Sequence, residues 1–263
     1  MTRPGVWCWL VAASILLTGC LPSDVQNTPQ PVTLTVSAAS DLGPAFREIG
    51  PLFEAETGIK ASFNFGSTGQ LAQQIEQGAP VDLFAAADAA RIAALATKGL
   101  VLSDTVKVYA VGRIVLWTRE ASPLRIDRVE DMLRPEVTKI AIANPDHAPY
   151  GVAARQAMQS ANIWEQLQDK LVLAENVQQA LQYAQAGNVD AAVIAHSLVV
   201  QGSGRWTLVP AELHEPIVQV LAVISGTRHE GEARRFADFV TGPRGREVLQ
   251  KYGFTLPGQE QTP

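Results

Sequence analysis

Three short stretches place hydroxyl groups and helix starts where a strand gives way to a helix. They are Ala38-Ala39-Ser40-Asp41, Gly66-Ser67-Thr68-Gly69 and Asn144-Pro145-Asp146-His147-Ala148-Pro149-Tyr150-Gly151. In open α/β sheets the carboxyl ends of the strands form the ligand crevice. The first turn of a helix carries unpaired N–H groups and a partial positive charge, which suits an oxyanion. Ser40, Ser67 and Thr68 would add neutral hydroxyl donors beside those amides. Each loop taken singly also has a plainer reading, in which Ser40 caps its own helix and Gly-Ser-Thr-Gly merely turns the chain.

Other chemistries lack their defining residues. The sequence contains no G-x-S-x-G elbow, no phosphate-binding P-loop and no H-E-x-x-H pair, so hydrolase, nucleoside-triphosphatase and zinc-protease readings lack their defining geometry. His147, His196, His214 and His229 show no metal-ligand spacing. His147 and His196 follow strands and can approach the crevice, but as surface or supporting groups they need no special role. An enzyme built on these loops would use Asp41, Asp88 or His147 as acid–base groups, and neither a nucleophile nor a metal accompanies them.

The elements that must hold these loops are those of an α/β protein. The 263 residues are 47% hydrophobic and 18% charged, with 21 Lys+Arg against 26 Asp+Glu, a net charge of −5. That balance provides ample core and no basic stripe for nucleic acid or an anionic membrane. Residues 1–19 read as a signal peptide: Arg3, an apolar run from Val6 to Leu17 that is too short to span a bilayer, then small residues. Leu17-Thr18-Gly19-Cys20 resembles the lipobox of bacterial lipoproteins, with Cys20 as the lipidated first mature residue. Cys8 lies in the removed segment, so no disulfide is possible in the mature chain. Residues 20–31, rich in Pro, Ser, Asn and Gln, read as a flexible tether.

From Val32 onward β-branched runs alternate with helical spacing. Strands are expected at 33–37, 59–65, 81–85, 139–143, 171–174 and 190–195. Helices are expected from Phe46 to Gly58, through Leu71 and Ile75, at 89–98 with Asp88 as cap, at 150–160, at 177–186 and over 230–251. Two longer apolar runs, Val108 to Trp117 and Pro216 to Ile224, read as strands crossing between two lobes. The expected lobes are 32–112 plus 224–257, and 113–223, each a mainly parallel sheet flanked by helices.

At these loops the sequence resembles the molybdate-binding proteins of ABC transporters, which have the two-lobed type II solute-binding fold. The resemblance runs from about Leu34 to Phe254. It rests on Ala38-Ala39-Ser40, on Phe65-Gly66-Ser67-Thr68-Gly69-Gln70-Leu71-Ala72-Gln73-Gln74-Ile75, and on Gly78-Ala79-Pro80-Val81-Asp82-Leu83-Phe84-Ala85-Ala86-Ala87-Asp88. Further blocks are Gly112-Arg113-Ile114-Val115-Leu116-Trp117, Ile142-Ala143-Asn144-Pro145, Ala148-Pro149-Tyr150-Gly151 and Lys251-Tyr252-Gly253-Phe254.

The resemblance implies an oxyanion held by two hydroxyls of the first lobe and by main-chain amides of the second. Ser40 matches the first hydroxyl and Thr68 the second, with Ser67 as its fallback. Tyr150 and Val177 match the two amide donors, and at Tyr150 the ring is expected to be incidental. A tyrosine ligand of some relatives falls on Ala195 and is absent. The resemblance thus implies capture of molybdate or tungstate without turnover, cofactor or free metal cation. The protein is then an exported monomer in the periplasm or on the outer face of the cytoplasmic membrane, anchored through Cys20 and serving a permease. Sulfate or phosphate capture, or an enzyme on the same scaffold, are the alternatives.

Overall fold

The computed structural model describes residues 32–259, so the leader, the Cys20 motif and the tether lie outside the described residues. In chain order the elements begin with β1 (Thr33–Ala39), α1 (Gly43–Thr57), β2 (Lys60–Gly66), α2 (Thr68–Glu76), β3 (Leu83–Ala86), α3 (Ala89–Thr97) and β4 (Lys107–Gly112). There follow β5 (Ile114–Thr118), β6 (Ile140–Ala143), α4 (Pro149–Ser160), α5 (Trp164–Leu167), β7 (Leu171–Ala174), α6 (Val177–Gln185), β8 (Ala191–Ala195) and β9 (Arg205–Leu208). The chain returns through β10 (Ile217–Val223), α7 (Glu230–Thr241) and α8 (Pro243–Lys251).

These elements build two five-stranded sheets, ordered β2-β1-β3-β10-β4 and β7-β6-β8-β5-β9. Both are mixed. In the first only β10 runs against its neighbours, and in the second only β5 does. Strand pairing corrects two expectations about the crossings. The run Val108–Trp117 is two strands, broken at Arg113, because its halves pair in different sheets. Ile217–Val223, assigned to the second lobe from sequence, hydrogen-bonds β3 and β4 and belongs to the first. The second crossing thus falls before β10, between Leu208 and Ile217.

Helix ends follow local chemistry. Asp88 caps α3, its Oδ1 accepting the Ala90 N–H at 2.8 Å. Gly58 closes α1 with φ 71°, a left-handed turn that glycine adopts at low cost. The helical stretch expected over 230–251 divides at Gly242-Pro243, where proline starts α8. In the first lobe Phe46 and Phe53 of α1 pack edge-on against Phe236 of α7 at 5.9 and 5.1 Å. That packing fixes α1, which follows directly on the turn that carries Ser40 and Asp41.

Candidate functional site

The three loops named from sequence meet between the lobes. With the start of α6 they enclose a cavity lined by Ser40, Asp41, Gly66, Ser67, Thr68, Ala148, Pro149, Tyr150, Asn176 and Val177, together with Ala39 and Ala87. It leaves about 10 Å³ for the centre of a water-sized guest, room for one compact group rather than an extended molecule. Thr68 is 1% exposed and Ser40 5%, so the lobes are closed over it.

Each donor is positioned by its element. Ser40 opens the turn before α1, where the cap positions are Ala39 and Leu42, so Ser40 is not the cap of its own helix. Thr68 begins α2, and its Oγ1 accepts the Ala87 N–H at 3.1 Å. With that lone pair occupied, the Thr68 proton is left to donate elsewhere. Ser67 is differently engaged: its hydroxyl donates to the His147 carbonyl at 2.6 Å and lies 2.8 Å from His147 Nδ1. A serine hydroxyl has one proton, so Ser67 spends it across the lobes. In this arrangement Nδ1 of His147 carries the ring proton and donates to Ser67 Oγ.

Tyr150 and Val177 sit in the first turns of α4 and α6, where a backbone N–H has no helical acceptor. Asn176 caps α6 by accepting the Gln179 N–H at 3.1 Å, which leaves the Val177 amide unclaimed by the cap. No lysine or arginine lines the cavity. Ala195, at the end of β8, is fully buried and is not part of the lining.

Contacts across the cleft surround the cavity. Gln70 Nε2 donates to Glu175 Oε2 at 2.5 Å, and the Gly69 N–H donates to the His147 carbonyl at 2.9 Å. A side chain at Gly69 would meet that carbonyl at 2.6 Å, so glycine is what permits the approach. The Tyr150 hydroxyl donates to Asp41 Oδ2 at 2.9 Å, which corrects the expectation that its ring is incidental. Its hydroxyl also fills the space where Gly112 would carry a Cβ.

Gln219 Nε2 donates to the same Asp41 oxygen at 2.8 Å, and the Ser197 hydroxyl donates to the Asp41 carbonyl at 2.8 Å. Burial pushes the Asp41 carboxyl up to about 7, against the lowering effect of those hydrogen bonds. Sequence reasoning missed Gln219, Ser197 and Tyr109 in this network. One signal was available, since Gln219 is the lone amide in an otherwise apolar strand and is fully buried. Asp88 caps its helix beside a separate hollow of about 240 Å³ that Glu215 also lines. Among the described residues no cluster of three or more His, Cys, Asp or Glu could hold a metal ion.

Known proteins resemble this chain in sequence and fold. The chain is 36% identical over 219 residues to the molybdate-binding protein ModA of Rhodobacter capsulatus, covering 82% of this chain and 85% of that protein. The solved structure of the Azotobacter vinelandii periplasmic molybdate-binding protein superposes with a TM-score of 0.81 at 29% identity, over 85% of this chain and 99% of the other. The sulfate-binding protein SubI of Mycobacterium tuberculosis superposes with a TM-score of 0.73 at 17% identity, over 86% and 88%, and speaks to the fold alone. The sequence model of the bacterial extracellular solute-binding proteins matches residues 34–255, and the chain belongs to that family.

Proposed function

We propose that the protein captures molybdate, and its near-isostere tungstate, outside the cytoplasm and presents it to the permease of an ABC transporter. The observation that carries this reading is the closed cavity lined by hydroxyls and helix-start amides with no basic side chain. Fixed neutral donors serve a small oxyanion well, because each bond to a charged acceptor is stronger than a neutral one. Ser40, Thr68, Tyr150 and Val177 are the donors in this proposal. Ser67, the fallback hydroxyl, instead ties the lobes through His147. The net charge of −5 is no obstacle, since surplus charge governs attraction to polyanions rather than a desolvated site for one small ion.

Capture rather than turnover is supported by the same residues. Asp41 is engaged in the contact between lobes, Asp88 caps a helix, and His147 meets Ser67. Closure about the two crossings, at Arg113 and before Ile217, would commit the anion and create the form a permease recognises. Among the described residues no helix is long and apolar enough to cross a membrane. Membrane contact in this reading is the lipid on Cys20, and mass spectrometry of the extracted protein should find acyl groups there and residues 1–19 removed.

A thermal-shift panel of molybdate, tungstate, sulfate and phosphate tests the ligand. Molybdate at about a hundred times its dissociation constant should add roughly 2.7 kcal/mol of stability. Sulfate is smaller and would leave buried donors unpaired, at about 1–3 kcal/mol each. A response to sulfate or phosphate alone would refute the molybdate assignment and retain the family.

A further inference from the structure

The cavity wall contains one carboxyl group, Asp41, and that residue joins the two lobes. Its Oδ2 accepts from Tyr150 of the second lobe and Gln219 of the first, while its main-chain carbonyl accepts from Ser197 of the second. Its Oδ1 is buried with no partner. A buried carboxylate oxygen without a donor is rare and costly. A proton on Oδ1 removes the uncompensated negative charge: the acid becomes neutral and Oδ2 still accepts both bonds. A dianion seated beside Ser40, the preceding residue, disfavours a negative charge on Asp41 in the same direction.

We propose that Asp41 is a positioning residue that takes up a proton as the lobes close on the anion, and that in its neutral form it holds Tyr150 so that the Tyr150 amide faces the cavity. This rests on the capture reading above. Tyr150 and Ser197 both belong to the other lobe, so separating the lobes breaks these contacts and returns the carboxyl to water. Closing them buries it, and burial raises its proton affinity. The linkage has a definite sign. A closed form that holds more protons than the open one gains affinity as pH falls through the window between an ordinary carboxylate and Asp41's raised value.

The neighbouring groups can be told apart from Asp41 as the source of this proton. The Tyr150 hydroxyl of α4 and the Tyr109 hydroxyl of β4 are pushed well above their usual range by burial, so both stay neutral. His196, which precedes Ser197, is pushed down by burial. Arg47, on α1 just after Asp41's turn, lies over the Phe65 ring, and β2 brings only Phe65 and Gly66 to this end. The first turn of α6 is uncharged, and Glu175 ahead of it pairs with Gln70. His147 faces Ser67 on the opposite rim, and substitution of Asp41 separates its contribution.

The experiment is calorimetric titration of the protein with molybdate, tungstate, sulfate and phosphate in two buffers of different ionisation heat at about pH 6.5. The wild type should take up most of one proton per anion bound, and its affinity should fall by up to about tenfold per pH unit between about pH 5 and 6.5, less steeply toward pH 7. Asp41→Asn should take up none and bind with a flat pH profile. Tyr150→Phe retains the amide and the carboxyl; it should keep the proton uptake and bind roughly 3- to 10-fold more weakly. Equal proton counts in wild type and Asp41→Asn overturn the inference while leaving capture intact. If Asp41→Asn does not fold, a pH-independent wild type or a Tyr150→Phe of unchanged affinity overturns it instead. No heat with any of the four anions overturns both readings.

Discussion

The two walls of the cavity are built on different rules. On the first-lobe wall the proposed donors are side chains, the hydroxyls of Ser40 and Thr68, and an aromatic core holds the helix that follows Ser40. On the second-lobe wall the proposed donors are main-chain amides at Tyr150 and Val177, in the first turns of their helices, and the side chains of those residues do something else. Val177 packs into the core beside Ala180 and Leu181, and the Tyr150 ring crosses the cleft to Asp41. Residue identity therefore encodes chemistry on one wall and placement on the other. Substitutions should separate the two, and a shared response would erase the distinction.

The largest loss of anion affinity should come from a residue that donates nothing to the anion through its side chain. Gly69→Ala puts a methyl 2.6 Å from the His147 carbonyl, backbone against backbone, where neither lobe can yield locally. Overpacking at this contact should cost about 3 kcal/mol of closure, roughly two orders of magnitude in molybdate affinity by calorimetry. The open protein should fold normally. Unchanged affinity would mean that the lobes need not meet at His147 when the anion is bound.

Thr68→Val comes next and breaks the first-lobe wall itself. The valine removes the hydroxyl donor and also leaves the buried Ala87 N–H without its acceptor. Both the binding free energy and the folding stability should fall, each by about 1–3 kcal/mol. Ser40→Ala should weaken binding by about 1–2 kcal/mol and leave the ligand-free melting temperature nearly unchanged, because this hydroxyl caps nothing. Measured together, the pair distinguishes a donor that also supports the fold from one that does not.

The same contrast explains what could be read from sequence. Alternating β-branched and helical spacing located nearly every element, and strand-to-helix junctions located Ser40, Thr68 and the Tyr150 loop, because those signals are local. Sheet membership was not local. Ile217–Val223 looks like any apolar strand, and only its pairing with β3 and β4 places it in the first lobe. The break at Arg113 likewise depends on which partners each half finds. Asp41 was visible as a possible acid, yet its bonds to Tyr150 and Gln219 span 109 and 178 positions. Val177 could be named only through resemblance, since an amide donor leaves no mark in the side chain that accompanies it.

Val177 also carries the smallest expected effect on binding, and it separates the two walls most sharply. Val177→Ala retains the main-chain N–H at the first turn of α6 and the Asn176 cap that orients the helix. It removes two buried methyl groups from a residue that is 3% exposed. Stability should fall by about 1.5–2.5 kcal/mol, while molybdate affinity stays within about twofold in calorimetry run well below the melting transition. A loss of affinity matching that of Ser40→Ala would show that the second wall also recognises the anion through its side chains. The two lobes would then share one rule.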